Sequence, residues 1–263
     1  MPISNLSIKS NPAAWCLFFS MTFGGLVAVS HCQGQLMRKR LVIHFIAFVD
    51  DQPLVLGKTY LSPQQEPFSL SMFRFYVGDL FLSSATDSSP RQKGDYALVD
   101  FSNPSTCSLE RFIEPGSYSG ITFLLGVDSL HNVSGAQAGD LDPQKGMFWT
   151  WNSGYVTAKI EGQSPLSKLA GHAIVYHIGG YREPNVSSKT IHLPFTQGPT
   201  IVTQTGKFIE VSIAVNLNSW FRSPYPISFK TAPACTTPGP EAKQIADNYS
   251  HMFSLEAVLV QPL

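Results

Sequence analysis

Helical periodicity is scarce in this chain, and that constrains its fold more than any other feature. Apolar residues come in short runs rich in β-branched and aromatic side chains, broken by Gly, Pro, Asn and Asp. Such runs read as strands and such breaks as turns. The run 41–49 (LVIHFIAFV) is ended by Asp50-Asp51. Further strands are expected over 53–57, 68–76 (with 77–82 continuing that strand or beginning another), 96–101, 119–127, 154–160, 172–178, 189–193, 208–217 and a short closing 257–260. Residues 83–94 read as a loop and 114–118 as a turn. One helix is expected over 241–253, with Pro238 and Pro240 leading into it. Many short strands joined by turns imply an all-β fold, an antiparallel β-sandwich with Greek-key-like connections and one short C-terminal helix.

The first residues have a different character. Lys9 gives a modest basic start, 13–30 is an apolar stretch, and Ala28, Ser30 and Gly34 offer cleavage points. Residues 1–34 therefore read as a signal peptide, and 35–263 as one exported domain. An uncleaved anchor is the rival reading, because the stretch is about as long as a short membrane span. A lipid anchor at Cys32 fits poorly behind His31. No second apolar run of spanning length follows. Beyond the leader only Cys107 and Cys235 remain. In an exported chain such a pair suggests one disulfide, with two free or separately buried thiols as the alternative.

The chain carries no net formal charge, which argues against a nucleic-acid binder needing clustered Lys and Arg. Arg38-Lys39-Arg40 is its longest basic run and reads as a solvated tail. No nucleophile elbow, phosphate loop, dinucleotide fingerprint or H-E-x-x-H motif is present. Asp128, Asp140, Asp142 and Glu161 could supply a glycosidase carboxylate pair or calcium ligands. Their spacing matches no EF-hand, and Asp142-Pro143 reads better as a turn starter.

Residues 147–155 concentrate Met147, Phe148, Trp149, Trp151 and Tyr155. Two tryptophans two apart share one side of an extended chain. Core anchoring is the plainer reading of that pair. His177 follows in Tyr176-His177-Ile178-Gly179-Gly180, where the glycines permit close approach. His44 lies on the opposite face of its strand from Ile43 and Phe45, and His131 lies in a loop near the tryptophans in sequence. Imidazole suits copper or zinc, and thioether suits Cu(I), so Met147 and Met252 are soft candidates whose plainer role is packing.

These residues carry a resemblance. Gly126-Val127-Asp128, Leu141-Asp142-Pro143, Gly146-Met147-Phe148-Trp149-Thr150-Trp151-Asn152-Ser153-Gly154-Tyr155, Glu161-Gly162 and Tyr176-His177-Ile178-Gly179-Gly180 strongly resemble the MbnP-like copper-binding domain family. The pieces 73–82, 98–100, 115–118 and 245–249 fit as well and keep the order. The resemblance implies an exported β-sandwich that binds one copper ion, as Cu(I) or Cu(II). It also implies, for some members, a partner di-haem peroxidase that converts a tryptophan to kynurenine, whose amine joins histidines on the metal. The family's M-F-W-x-W motif falls on 147–151, and its strand histidine falls on His177. Where copper-binding members carry Asn-His, this chain has the reverse order, His131-Asn132. The expected metal residues are then His177, His131, Trp149, Trp151 and His44, with Asp128, Asp142, Tyr155 and Glu161 around them. The expected function is non-catalytic copper acquisition, storage or delivery. The alternatives are a glycan- or peptide-binding sandwich that uses the aromatic face, and a structural domain without metal.

Overall fold

The structure is a computed structural model that describes residues 39–84, 94–150, 153–195, 201–202 and 207–262. The leader expected over 1–34, most of the 83–94 loop, and Trp151 lie outside the described residues. In chain order the strands are β1 (Lys39–Val49), β2 (Gln52–Pro53), β3 (Thr59–Leu61), β4 (Pro67–Ser84), β5 (Tyr96–Asp100), β6 (Ser108–Ile113), β7 (Ser117–Leu125) and β8 (Phe148–Thr150). They continue as β9 (Gly154–Gln163), β10 (Ala173–Gly179), β11 (Lys189–Pro194), β12 (Ile201–Val202), β13 (Lys207–Asn216), β14 (Ala234–Cys235) and β15 (Phe253–Pro262). The helices are α1 (Ser129–Val133), α2 (Asn218–Arg222) and α3 (Pro240–Tyr249).

Among the described residues the strands form a five-stranded sheet, β15-β13-β1-β2 with β6 also on β1, and a ten-stranded sheet along the path β11-β7-β4-β9-β10-β14. The fold is all-β, as the sequence implies. Most ladders are antiparallel, but β1 runs parallel to β13 and β10 parallel to β14. Alternation along β1 buries Leu41, Ile43, Phe45, Ala47 and Val49. Phe45 meets Phe75 of β4 and Phe123 of β7 edge-on, with ring centroids at 5.6 and 5.9 Å, so the two sheets pack face to face.

Residues 77–82 do continue the strand of 68–76: both belong to one eighteen-residue strand, bent by a register shift between Gly78 and Phe81 where Asp79 has φ 46°. Two expectations are redrawn. The C-terminal helix stops at Tyr249, and Phe253 opens a ten-residue edge strand. His172 closes a 3-10 turn at φ 55° rather than joining β10. No helix among the described residues is long and apolar enough to cross a membrane.

Candidate metal centre

The inner face of the ten-stranded sheet belongs to the sandwich core. Part of its outer face is covered by residues 126–150, and the cover is held by a few directed bonds. The Asp128 carboxylate accepts from the His131 backbone N–H at 2.8 Å and caps α1. Asn132 is buried; its amide donates to the carbonyls of Val127 (2.9 Å) and Asp128 (2.8 Å), and its Oδ1 accepts from Tyr155 N–H at 2.7 Å. Gly154 turns beneath it at φ 71°, and a Cβ there would stand 2.1 Å from Asn132 Oδ1. Only glycine fits. Asp142 caps the 3-10 turn Pro143–Lys145 by accepting from Gln144 N–H at 2.9 Å. The Tyr155 hydroxyl donates to the Leu141 carbonyl at 2.9 Å. Under this cover Tyr76, Tyr96, Leu98, Val127, Leu141, Met147, Tyr155 and Val156 form a second apolar cluster, against which Phe148 and Trp149 pack.

Beside the cluster a polar row crosses four strands. Asp100 of β5 faces Arg74 of β4, Arg74 faces Lys159 of β9, and Lys159 faces His177 of β10. Arg74 pairs with Asp100 at 2.9 Å. Lys159 reaches back to Glu161 at 3.1 Å, and Glu161 Oε1 lies 2.8 Å from His177 Nε2. Burial alone would raise the Glu161 carboxyl, but bonds from His177 and Lys159 outweigh it and hold the pKa below the usual range. Burial, with Lys159 adding to it, lowers the His177 pKa against a smaller opposing pull from Glu161. At neutral pH Glu161 is thus an acceptor only, and a neutral His177 donates Nε2–H to it. That tautomer leaves the lone pair on Nδ1, which no described residue engages. Two residues on, the Trp149 indole lies against Gly179, where a Cβ would come 2.7 Å from its Cζ3. The glycine admits the ring, and His177, Glu161 and Trp149 share one stretch of the outer face.

His131 is built in the same way but elsewhere. Its Nδ1 lies 2.8 Å from Asp128 Oδ2, and Tyr96 donates to that oxygen at 2.8 Å. Burial pushes the Asp128 carboxyl up, and bonds from His131 N–H, Tyr96 and the imidazole more than reverse the shift. His131 Nε2 faces Gly94.

Comparison with known proteins bears on this arrangement. The MbnP family model matches residues 38–237, about three quarters of the sequence. The chain belongs to the MbnP family. It is also similar to the solved structure of MbnP from Methylosinus trichosporium, with a TM-score of 0.54 and 18% identity over 85% of this chain and 99% of that one. At that identity the likeness shows a shared fold. No curated protein matches.

The MbnP span contains β1 to β14 and stops before α3, so residues 245–249 lie beyond it. Within the span the three expected histidines do not converge. His131 sits against Tyr96 (ring centroids 4.9 Å apart), and His177 lies in the row of Asp100, at the other end of β5. Four residues of strand separate those ends, roughly 13 Å, and His177 is three strands across from β5. Two imidazoles on one metal need nitrogens within about 4 Å of each other. His44 is further removed, on the outer face of the five-stranded sheet. Both of its ring nitrogens are taken, by Ser108 Oγ at 2.7 Å and Glu210 at 3.1 Å. His44 and His131 are therefore set apart from His177, because His44 belongs to the other sheet and α1 holds His131 against Tyr96 of β5. Among the described residues no three His, Cys, Asp or Glu side chains gather as a metal cluster.

The expected disulfide is absent: Cys107 and Cys235 are free thiols. Cys107 precedes β6 at the five-stranded sheet, whereas Cys235 lies in β14 beside β10 of the ten-stranded sheet. Asp142 and Tyr155 hold the cover and approach no histidine by a direct bond. Sequence reasoning missed Lys159, Arg74, Asn132 and Tyr96. Lys159 was within reach of it, since a residue two before Glu161 in a strand shares its face.

Proposed function

We propose that this MbnP-family chain is an exported, non-catalytic copper-binding protein in which copper is cargo and His177 is its anchoring ligand. One observation carries the reading. A carboxylate fixes the His177 tautomer and leaves Nδ1 free, on the same stretch of sheet as Trp149. Carboxylate-oriented imidazoles are the usual form of histidine in metal sites, and imidazole suits copper in either oxidation state. Family membership supports the choice of metal. The remaining ligands would come from the 149–151 segment, where conversion of Trp149 or Trp151 to kynurenine by a di-haem peroxidase would add an aromatic amine. Export rests on the apolar leader over 1–34.

The test is titration of the full chain, recovered from the periplasm, with Cu(I) under reducing conditions and with Cu(II). Intact mass on the same sample reads tryptophan conversion. One equivalent of copper should bind the native protein, and Glu161→Gln should weaken it by about 10–100-fold, as other outer-shell partners do. Copper that binds His177→Ala as tightly as the native protein would leave the aromatic face as a glycan or peptide surface and His177 as a structural residue.

A further inference from the structure

The same outer face holds a second feature, four residues along β10 from His177. Thr59 of β3 faces Ser69 of β4, and Ser69 faces Gln163 of β9. Directly opposed residues point to one side of a sheet. A hydroxyl, a second hydroxyl and a carboxamide therefore stand in line across three strands. They lie in a groove of about 290 Å³ whose remaining walls are Pro67, Phe68, Pro165, Gly171 and His172. No described residue hydrogen-bonds the side chains of Thr59, Ser69 or Gln163.

The wall opposite the strands is shaped by an unusual turn. Gly171 and His172 are both left-handed, at φ 64° and 55°. A left-handed conformation is uncommon for any residue but glycine. Here it brings the His172 ring back over its own loop, where Nδ1 lies 3.0 Å from the Ser167 carbonyl. A carbonyl only accepts, so Nδ1 carries the hydrogen, and in the neutral ring Nε2 is left as an acceptor.

The lining holds no carboxylate, ammonium or guanidinium group. A charged ligand would shed water here without meeting an opposite charge. An apolar ligand would strand the hydroxyls and the amide. What fits is a small, neutral molecule with donors and acceptors around its edge and an apolar face for the prolines. We propose that the groove binds a neutral polyhydroxylated ring, one hexose unit. Its volume sits at the small end of the range for ligand pockets, about 300–1,000 Å³. The site is independent of copper: none of its lining residues touches His177, Glu161 or Trp149 by a hydrogen bond.

The experiment is saturation-transfer NMR on the full exported chain with glucose, galactose and N-acetylglucosamine, each as the free sugar and as its methyl glycoside. Binding should be weak, with a dissociation constant on the order of millimolar, as befits a ligand of about a dozen heavy atoms. Transfer to at least one sugar is expected, reduced tenfold or more in Gln163→Ala and in Thr59→Val. Thermal melts and copper stoichiometry should match the native protein in both variants, which separates loss of the groove from loss of the fold or of the metal. Equal transfer to the methyl glycoside would identify the end of a glycan as the ligand, and transfer to the free sugar alone a monosaccharide. No transfer from any of the six probes, or transfer unchanged in both variants, would overturn the proposal.

Discussion

Asn132 shows how much of the candidate site rests on one residue. Its amide holds two carbonyls of the cover and one N–H of β9. Asn132→Ala would leave those groups buried without partners, at about 1–3 kcal/mol for each that water cannot reach. The expected net loss is about 2–4 kcal/mol, read as a lower urea midpoint at unchanged slope. His177 and Glu161 set the pH dependence. The His177 pKa is lowered from 6.5, so the unfolded chain takes up a proton first. Stability should therefore fall as pH drops below 6.5. The Glu161 pKa is lowered from 4.5, so its contribution is present above 4.5 and lost as pH falls further. Chemical denaturation at stepped pH should show both declines, and His177→Gln should abolish the upper one. An upper decline unchanged in that variant would place its origin in another group. At this scale the sequence marks His177, Glu161 and Trp149 as functional candidates, and the structure brings those three together. It cannot tell that His44 and His131 stand apart from them, because strand register is set by contacts distant in the chain.

At the scale of elements, the β-branched and aromatic runs made most strands legible, β1 and β13 among them. Their parallel pairing was not, since alternation reports a buried face and not a neighbour. The C-terminal segment shows propensity overridden by packing. Residues 250–253 continue a helical pattern, yet Phe253 leaves the helix to meet Phe123 at 5.1 Å and Phe75 at 5.5 Å. Those edge-on contacts join β15 to the ten-stranded sheet across the core. Phe253→Ala should cost about 3–5 kcal/mol, the usual range for emptying a buried Phe site, and thermal unfolding measures it. A loss under about 1 kcal/mol, typical of surface changes, would mean that β15 is held by its ladder to β13 alone. The turn at 114–118, between β6 and β7, was readable for a different reason, namely that its Pro-Gly signal is local. The fate of Cys107 and Cys235 was not, because each belongs to a different sheet.

At the scale of the molecule, the ten-stranded sheet works on both faces. Its inner face and the five-stranded sheet make the core. Its outer face carries an aromatic cluster under the 126–150 cover, the His177–Glu161 pair beside Trp149, and the groove further along β4 and β9. Both candidate sites thus sit on strands whose opposite side is fixed by the core, which suits a site that must hold its geometry. The five-stranded sheet carries His44 on its exposed face and takes no part. That copper is held at His177 is tested most directly by parallel copper titrations of the native chain, His177→Ala and His44→Ala. One equivalent should bind the native protein and His44→Ala, and none His177→Ala. Copper retained by His177→Ala, or none bound by the native protein, would contradict it.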